Sequence, residues 1–341
     1  MKVLAWLRAS WRGQRERWLL ALAAVALAAT FFNPGVRVER KLFEHVVVLD
    51  ITQSMNVTDQ TLDGKPASRL AFAKHALRQS LLDLPCGSKV GWAVFTEYRS
   101  FLLLAPVEVC ANLSELRASL ARIEPRMAWS GNSEVAKALH SGLGVAKALP
   151  GKPSLVFITD GQEAPPLNPR YRPAFEDDKP GEVPGVIVGV GELMPFPIPK
   201  TDPLGRPLGF WRADEVMQTD ARSQGRGASV SGEKMLDDGA GPAATGLGGT
   251  PGQEHLSALR EGYLRLLSGE LGLRFHRLQS AQGLSKELSS PAFAKPVVAR
   301  ADGRFGLAAL AFVLLLARAG WRGQRAPWRK PAAAATASLS D

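Results

Sequence analysis

Two short apolar runs, each leading into an aspartate, constrain the fold of this chain most strongly. The runs are Glu44–Asp50 (EHVVVLD) and Ser154–Thr159 (SLVFIT), and Asp160 follows the second at once. Their hydrophobicity is continuous rather than alternating, which is typical of strands covered on both faces, as in parallel sheets. Because ligands of such sheets bind outside the carboxyl ends of the strands, both aspartates are candidate site residues.

The order of strand and helix patterns between 44 and 278 predicts an α/β domain. Further strands are predicted at 90–95, 101–105, 185–190 and 273–278, and helices at 67–84, 113–123, 134–149 and 255–267. Strands that alternate with helices predict a doubly wound, mostly parallel sheet, here with one antiparallel edge strand. The domain is expected to comprise 40–217 and 254–290. The stretch between them, 218–253, is rich in Gly, Ser and Ala and is interpreted as a flexible insertion.

The net charge of +10 does not predict a nucleic-acid-binding domain, because the excess lies at the two ends. Residues 1–17 carry five Lys or Arg and one Glu, and residues 318–341 carry five Lys or Arg and one Asp. Each end therefore has a net charge of +4, which leaves +2 for the rest of the chain. An apolar content of 45% excludes a fully disordered chain.

Two apolar runs, Trp18–Phe32 and Phe305–Ala317, lie next to these basic ends. Both are short against the roughly 20 residues that span a bilayer, so a signal peptide and a buried core helix are the respective alternatives. Basic residues outside both runs favour two transmembrane helices, at 18–36 and 304–318, in a bacterial inner membrane. The tails 1–17 and 319–341 would then be cytoplasmic, and the central domain periplasmic.

The two cysteines are placed to meet at the open end of a hairpin. Cys86 precedes one predicted strand and Cys110 follows the next, and the two positions are symmetric about residue 98. Facing hairpin ends satisfy the distance limits of a disulfide, which suits an oxidising compartment. Two unrelated buried thiols are the alternative.

Oxygen-bearing side chains cluster in the loops expected at one edge of the sheet. Asp50, Thr52 and Ser54 form a D-x-T-x-S spacing, Ser133 opens a predicted helix, and Asp160 precedes the turn-forming Gly161. Two carboxylates and three hydroxyls without His or Cys suit Mg²⁺, Mn²⁺ or Ca²⁺ rather than Zn²⁺. With so few protein charges, the ion would keep a position open for a carboxylate from outside.

These motifs resemble the metal-ion-dependent adhesion site of von Willebrand factor A domains. That family usually has D-x-S-x-S, a distal threonine and a distal aspartate; here Thr52 and Ser133 keep the hydroxyls. The resemblance implies one Mg²⁺-like ion on Asp50, Thr52, Ser54, Ser133 and Asp160. The arrangement with two apolar ends is similar to that of Bat-type proteins and especially of MxaL-type proteins, which are associated with the maturation of methanol dehydrogenase.

The resemblance implies a membrane-anchored protein-binding module rather than an enzyme. Its partner would supply an Asp or Glu to the metal, and other membrane or periplasmic maturation proteins would take part in assembling an enzyme complex, possibly methanol dehydrogenase. The alternatives are a metal-dependent phosphoryl-transfer enzyme, which would need a general base and a Lys beside the carboxylates, and a general envelope stress or scaffold protein. Glu163 is expected to be a solvated loop charge, with a place beside the metal ligands as the alternative.

Overall fold

The computed structural model describes residues 17–32, 35–167, 171–202, 204–216, 232–237 and 253–323. Most of the two predicted cytoplasmic tails, 1–16 and 324–341, lies outside the described residues. The chain divides into a central unit, Lys41–Pro296, and a terminal unit formed by Met1–Arg40 and Val297–Asp341.

Strands, helices and single 3-10 turns make up the secondary structure of the described ranges. The strands are β1 Gly35–Leu42, β2 Glu44–Asp50, β3 Gln60–Leu62, β4 Lys65–Ala67, β5 Lys89–Thr96, β6 Arg99–Glu108, β7 Ser154–Thr159, β8 Tyr171–Phe175, β9 Gly185–Gly189, β10 Phe196–Pro197, β11 Pro199–Thr201, β12 Pro207–Phe210, β13 Glu233–Asp237, β14 Leu256–Ser257, β15 Arg274–Arg277 and β16 Lys295–Asp302. The helices are α1 (17–30), α2 Arg69–Asp83, α3 Leu113–Arg122, α4 Val135–Ala148, α5 Ala213–Val216, α6 Glu261–Leu271, α7 Ala281–Leu288 and α8 Arg304–Gly323. The 3-10 turns occur at Gln53–Asn56, Pro125–Met127 and Pro291–Phe293.

A six-stranded sheet in the order β15-β9-β7-β2-β5-β6 forms the centre of the central unit. The neighbours pair in parallel except β6, which pairs antiparallel with β5 at one edge. The predicted α/β class, the mostly parallel sheet and the antiparallel edge strand are therefore confirmed. In this topology β2 and β7 are neighbours, so the aspartates at their carboxyl ends lie at the same edge of the sheet.

Helices cover both faces of this sheet, which explains the continuous hydrophobicity of its strands. On one face Val47 and Trp92 pack in a buried cluster with side chains of α2, α3 and α7. On the other face Val48 and Phe157 pack with side chains of α4 and α6. Each fully buried Val, Leu or Phe contributes roughly 1.5–3 kcal/mol relative to exposure, so the two clusters hold the strand ends rigidly in register.

The predicted disulfide is present. Cys86 and Cys110 are bonded, with a Cα–Cα distance of 5.2 Å, at the open end of the β5-β6 hairpin. Glu108 supports this end, since its carboxylate accepts hydrogen bonds from the backbone N–H of Gly87 at 2.6 Å and of Ala111 at 2.5 Å. The bond therefore joins the beginning of β5 to the end of β6, at the opposite end of these strands from the hairpin turn.

Several parts of the secondary structure differ from the predictions. The predicted helix 255–267 begins only at Glu261, because Leu256–Ser257 pair as β14 with β10; it ends at Leu271, before a left-handed Gly272. Helix α7 was not predicted. In the stretch 218–253, β13 pairs antiparallel with β8, and nearly all the rest of that stretch lies outside the described residues.

The two predicted membrane spans are not supported. Over the ranges that the structure describes, no helix combines the length and apolar character needed to cross a bilayer. The segment 18–36 is not one helix, since α1 ends at residue 30 and β1 begins at Gly35. The segment 304–318 lies within α8, which includes Arg304 and Arg318.

Small residues form the buried contact within the terminal unit. Ala23 and Ala26 of α1 and Ala311 of α8 are buried together. Many large apolar side chains of this unit remain exposed, among them Phe31 at 90% and Phe312 at 63%. The terminal unit therefore presents a wide apolar surface.

A candidate metal and partner-binding site

The five predicted ligands meet at the carboxyl edge of the sheet, each placed by its own local structure. Asp50 ends β2, and the chain then turns through Thr52 into the 3-10 turn that holds Ser54. Asp160 follows β7 directly. Ser133 precedes α4 and is fixed by two backbone hydrogen bonds with Ala164, of 2.7 and 2.8 Å.

Asp50 orients the hydroxyl group of Thr52. Its Oδ1 accepts hydrogen bonds from the Thr52 backbone N–H at 2.9 Å and from Thr52 Oγ1 at 2.7 Å, and its Oδ2 accepts from Thr159 Oγ1 at 2.6 Å. Because the hydroxyl proton of Thr52 points at the carboxylate, the lone pairs of its oxygen are available to a cation.

Thr52, Ser54 and Ser133 line one cavity of about 50 Å³. The oxygens Thr52 Oγ1 and Ser54 Oγ are 3.4 Å apart. Ser133 Oγ donates its proton to the carbonyl of Gln162 at 2.8 Å, so its lone pairs are also available. The cavity is large enough for a small cation with water, and its oxygen donors suit hard ions such as Mg²⁺.

Asp160 does not line this cavity and is held by an arginine. Its Oδ1 accepts from the Gln162 backbone N–H at 2.9 Å, and its Oδ2 accepts from Arg69 Nη1 at 2.6 Å and Ser257 Oγ at 3.1 Å. Arg69 also donates to Asp59 through Nη2 at 2.7 Å. All three charged side chains are fully enclosed, so each depends on the others for compensation.

Sequence reasoning missed Arg69. It is the first residue of α2, where an arginine has the pattern of an ordinary surface charge, and Asp160 is 91 residues away. Asp50, Asp59 and Asp160 bring three carboxyl groups to this site, and the positive charges nearest to Asp160 are those of Arg69 and Arg260. Ionised carboxylates beside the hydroxyl-lined cavity attract a divalent cation.

The two aspartates therefore differ from the three hydroxyl residues in position. Asp50 and Asp160 are fully buried and their carboxylate oxygens are occupied by hydrogen bonds, whereas the hydroxyl residues face the cavity. Burial raises the pKa of Asp50 well above the usual range of a carboxyl group, and the charge of Asp160 raises it further, against the hydrogen bonds from Thr159 and Thr52. A cation in the cavity would stabilise the ionised form.

A small cap closes over the cavity. We define the cap as residues 196–202 and 204–216 together with 254–257, in which β10 pairs with β14 and β11 pairs with β12. Ile198, Trp211 and Glu254 of the cap line the same cavity as the hydroxyl groups. None of these residues was predicted to belong to the site.

Glu163 is not a solvated loop charge, as the sequence suggested, but is fully buried. Its carboxylate accepts hydrogen bonds from the backbone N–H groups of Val135 at 3.0 Å and Ala136 at 3.1 Å, and from the hydroxyl of Tyr263 at 2.7 Å. Burial raises the pKa of Glu163 to about 8 despite these bonds. Glu163 therefore fixes the beginning of α4, next to Ser133.

A larger groove of about 670 Å³ adjoins the cavity and shares Gln53 and Gly131 with it. Trp129 stands at this groove with 61% of its surface exposed, packed edge-on against Phe101. Exposed tryptophans in concave surfaces are typical of sites that bind other proteins.

Among the described residues, no group of three or more His, Cys, Asp or Glu is placed to hold a metal ion. The candidate site differs from such a cluster, because three hydroxyl residues line its cavity and its two aspartates are engaged in hydrogen bonds. Among known families, the sequence model of the von Willebrand factor type A domain matches residues 45–162. This segment is similar to von Willebrand factor type A domains. The matched segment runs from β2 to the loop after β7 and covers Asp50, Thr52, Ser54, Ser133 and Asp160.

Two solved structures are similar to this chain at low sequence identity. An aerotolerance-related membrane protein from Bacteroides fragilis is 17% identical, with a TM-score of 0.46, covering 73% of this chain and 98% of its own. The conserved hypothetical protein BatB from Bacteroides thetaiotaomicron is 16% identical, with a TM-score of 0.43, covering 72% of this chain and 95% of its own. With TM-scores below 0.5, neither likeness adds to the functional argument. A search of the curated proteins finds no match.

Proposed function

We propose that this protein is a metal-dependent protein-binding module. The observation that carries the proposal is the convergence of Thr52, Ser54 and Ser133, from two distant segments, on one small cavity, in which Thr52 and Ser133 have hydroxyl lone pairs available. Domains of the von Willebrand factor type A kind generally bind other proteins.

In this proposal the three hydroxyl oxygens hold one Mg²⁺, Mn²⁺ or Ca²⁺. Asp50 and Asp160 supply the negative charge beneath them, directly or through water. The ion would act as a Lewis acid that accepts a further oxygen ligand. Binding would be weak without a partner, because neutral hydroxyls provide most of the direct contacts and Mg²⁺ loses its water reluctantly.

The partner would supply an Asp or Glu carboxylate to the ion and cover the adjacent groove. The groove offers an exposed aromatic ring, Trp129, beside the polar rim residues Gln53 and Asn56. A phosphoryl-transfer enzyme is less consistent with the site, since none of the described residues lining the cavity is Lys, Arg or His.

We further propose that the protein acts at a membrane in an oxidising compartment such as the periplasm. The Cys86–Cys110 disulfide favours that compartment, and the exposed apolar surface of the terminal unit, with Phe31 and Phe312, suits lipid contact. Flotation with liposomes, after detergent has been removed from the full chain, tests whether the protein binds membranes. A chain that stays at the bottom of the gradient contradicts membrane binding. The narrower expectation of methanol dehydrogenase maturation has no support and is not part of the proposal.

Affinity capture with the full chain as bait tests the binding function. We expect a protein that is retained in Mg²⁺, released by EDTA and not retained by Thr52→Val, which removes a hydroxyl at nearly constant volume. Thr58→Val is the matched control, because Thr58 is exposed in the same loop and does not line the cavity. If the captured protein is still retained in EDTA and by Thr52→Val, the proposal is contradicted. Phosphatase activity in the wild type that is lost in Thr52→Val would favour the phosphoryl-transfer enzyme.

A further inference from the structure

We propose that Glu254 is an internal ligand of the metal, so that the cap occupies the position that the partner's carboxylate must take. This inference rests on the proposed metal site and extends it to a regulated one. In the capped protein the ion would be held from below by hydroxyl groups and from above by the chain's own carboxylate.

The environment of Glu254 carries this inference. Only 8% of the residue is exposed, and it lines the same cavity as Thr52, Ser54 and Ser133. Within the described part of the chain, its Oε2 has no hydrogen-bond partner. Other enclosed carboxylates nearby, such as Asp160 and Glu163, accept two or more hydrogen bonds.

A buried carboxylate oxygen without a donor is costly, because water no longer solvates it. Two conditions relieve the cost: protonation of Glu254, or a cation against its oxygen. Two of the hydroxyl groups that line the cavity donate elsewhere, Thr52 to Asp50 and Ser133 to Gln162, so they present lone pairs rather than protons to the cavity that Glu254 shares. A cation between the two sets of oxygen atoms satisfies both sets.

The backbone holds Glu254 in place through its neighbours. The N–H of Ile198 donates to the carbonyl of His255 at 3.0 Å, and Ser257 pairs with Phe196. Ser257 Oγ accepts from Arg69 Nη1 at 2.6 Å and donates to Asp160 at 3.1 Å. Arg69 thus ties the cap strand to the floor of the metal site, three residues from Glu254.

This arrangement makes partner binding a competition. A partner carboxylate can reach the ion only when Glu254 leaves it and residues 254–257 shift. Trp211 would move with the same cap, since its backbone N–H donates to the carbonyl of Ile198 at 3.0 Å. The cap would therefore lower the affinity for partners and exclude weak carboxylate ligands such as acetate.

Titration of the full chain with Mn²⁺, followed by the electron paramagnetic resonance signal of the free ion, tests the inference. We expect the wild type to bind one ion, Glu254→Gln to bind it at least tenfold more weakly, and Glu215→Gln to match the wild type. Glu215 is the control because it lies in the same cap, is exposed and pairs with Lys200 at 2.7 Å. Equal affinity of Glu254→Gln and the wild type would overturn the role of Glu254 and leave the metal site standing. Absence of binding by the wild type would overturn the metal site itself.

Hydrogen exchange of the wild type provides a test that does not depend on how the variant folds. Addition of Mg²⁺ should slow amide exchange at least threefold in the cap strands, including the N–H groups of Ile198 and Trp211. In β15, far along the sheet, exchange should be unchanged. If Mg²⁺ binds but leaves the cap amides unaffected, Glu254 is not a ligand.

Discussion

Replacement of Arg69 by methionine should destabilise the central unit more than any surface substitution. The guanidinium of Arg69 donates to Asp160 at 2.6 Å and to Asp59 at 2.7 and 2.9 Å, and neither ion pair has solvent access. Removing one partner of a buried pair typically costs about 3–5 kcal/mol, because the other charge stays buried without compensation. Since two carboxylates lose their partner here, we expect a loss near the upper end of that range, about 5 kcal/mol.

Urea unfolding in EDTA, followed by tryptophan fluorescence, measures this loss. Trp92 is fully buried between the sheet and α3 and reports the integrity of the core. With an m-value of about 2 kcal/mol per M, the expected loss lowers the midpoint by roughly 2.5 M. Adding Asp160→Asn to the variant should restore part of the stability, since it removes one of the two uncompensated charges.

Arg265→Met is the matched control for this experiment. Arg265 donates to Glu261 at 2.7 Å one helical turn away, but its side chain is 59% exposed. Exposed pairs of this spacing contribute only about 0.3–0.5 kcal/mol. A loss below about 1 kcal/mol in Arg69→Met, or one equal to that in Arg265→Met, would refute the view that Arg69 compensates the buried aspartates.

Three further perturbations have defined outcomes. The Cys86–Cys110 disulfide closes a loop with a sequence separation of 24, so its reduction should lower the free energy of unfolding by about 3.5 kcal/mol on the chain-entropy estimate. Unfolding with and without reductant measures this loss, and a change under about 1 kcal/mol would contradict it. Burial lowers the pKa of His45 from 6.5 to about 4, so the unfolded state binds this proton at a higher pH than the folded state does. The free energy of unfolding should therefore fall as the pH drops from 6.5 towards 4, and this pH dependence should be absent from His45→Gln. Burial raises the pKa of Glu163 from 4.5 to about 8, so the folded state keeps this proton at pH values where the unfolded state has lost it. The free energy of unfolding should therefore fall as the pH rises from 4.5 to 8, and it should depend less on pH in Glu163→Gln. Between pH 4.5 and 6.5 the effects of His45 and Glu163 on the free energy of unfolding have opposite signs, so the wild type should be compared with each variant in this range. If both variants show the same pH dependence as the wild type, the burial effects assigned to the two residues are contradicted.

The sheet could be predicted from the sequence because its signals are local. A buried parallel strand needs apolar residues on both faces, and β2 and β7 show that continuous pattern within seven and six residues respectively. The disulfide was predictable for the same reason, since a hairpin brings its own two ends together.

The charged floor and the cap could not be predicted, because their partners are distant in sequence. Arg69 meets Asp160 and Ser257 across 91 and 188 positions, and nothing in its helix distinguishes it from a solvated arginine. The strand Leu256–Ser257 has the apolar spacing of the helix that follows it, and only pairing with Phe196–Pro197 decides its conformation. Glu163 was misjudged because its three donors come from α4 and α6, not from its own loop.

Manganese anomalous diffraction from crystals of the full chain tests the central claim most directly, since it locates the ion without reference to function. The account predicts one anomalous peak in the cavity, at coordination distance, about 2.0–2.5 Å, from the hydroxyl oxygens of Thr52, Ser54 and Ser133. The same crystals of Thr52→Val should show a weaker peak or none. Density for manganese only at surface carboxylates, with the hydroxyl-lined cavity holding water, would contradict the account.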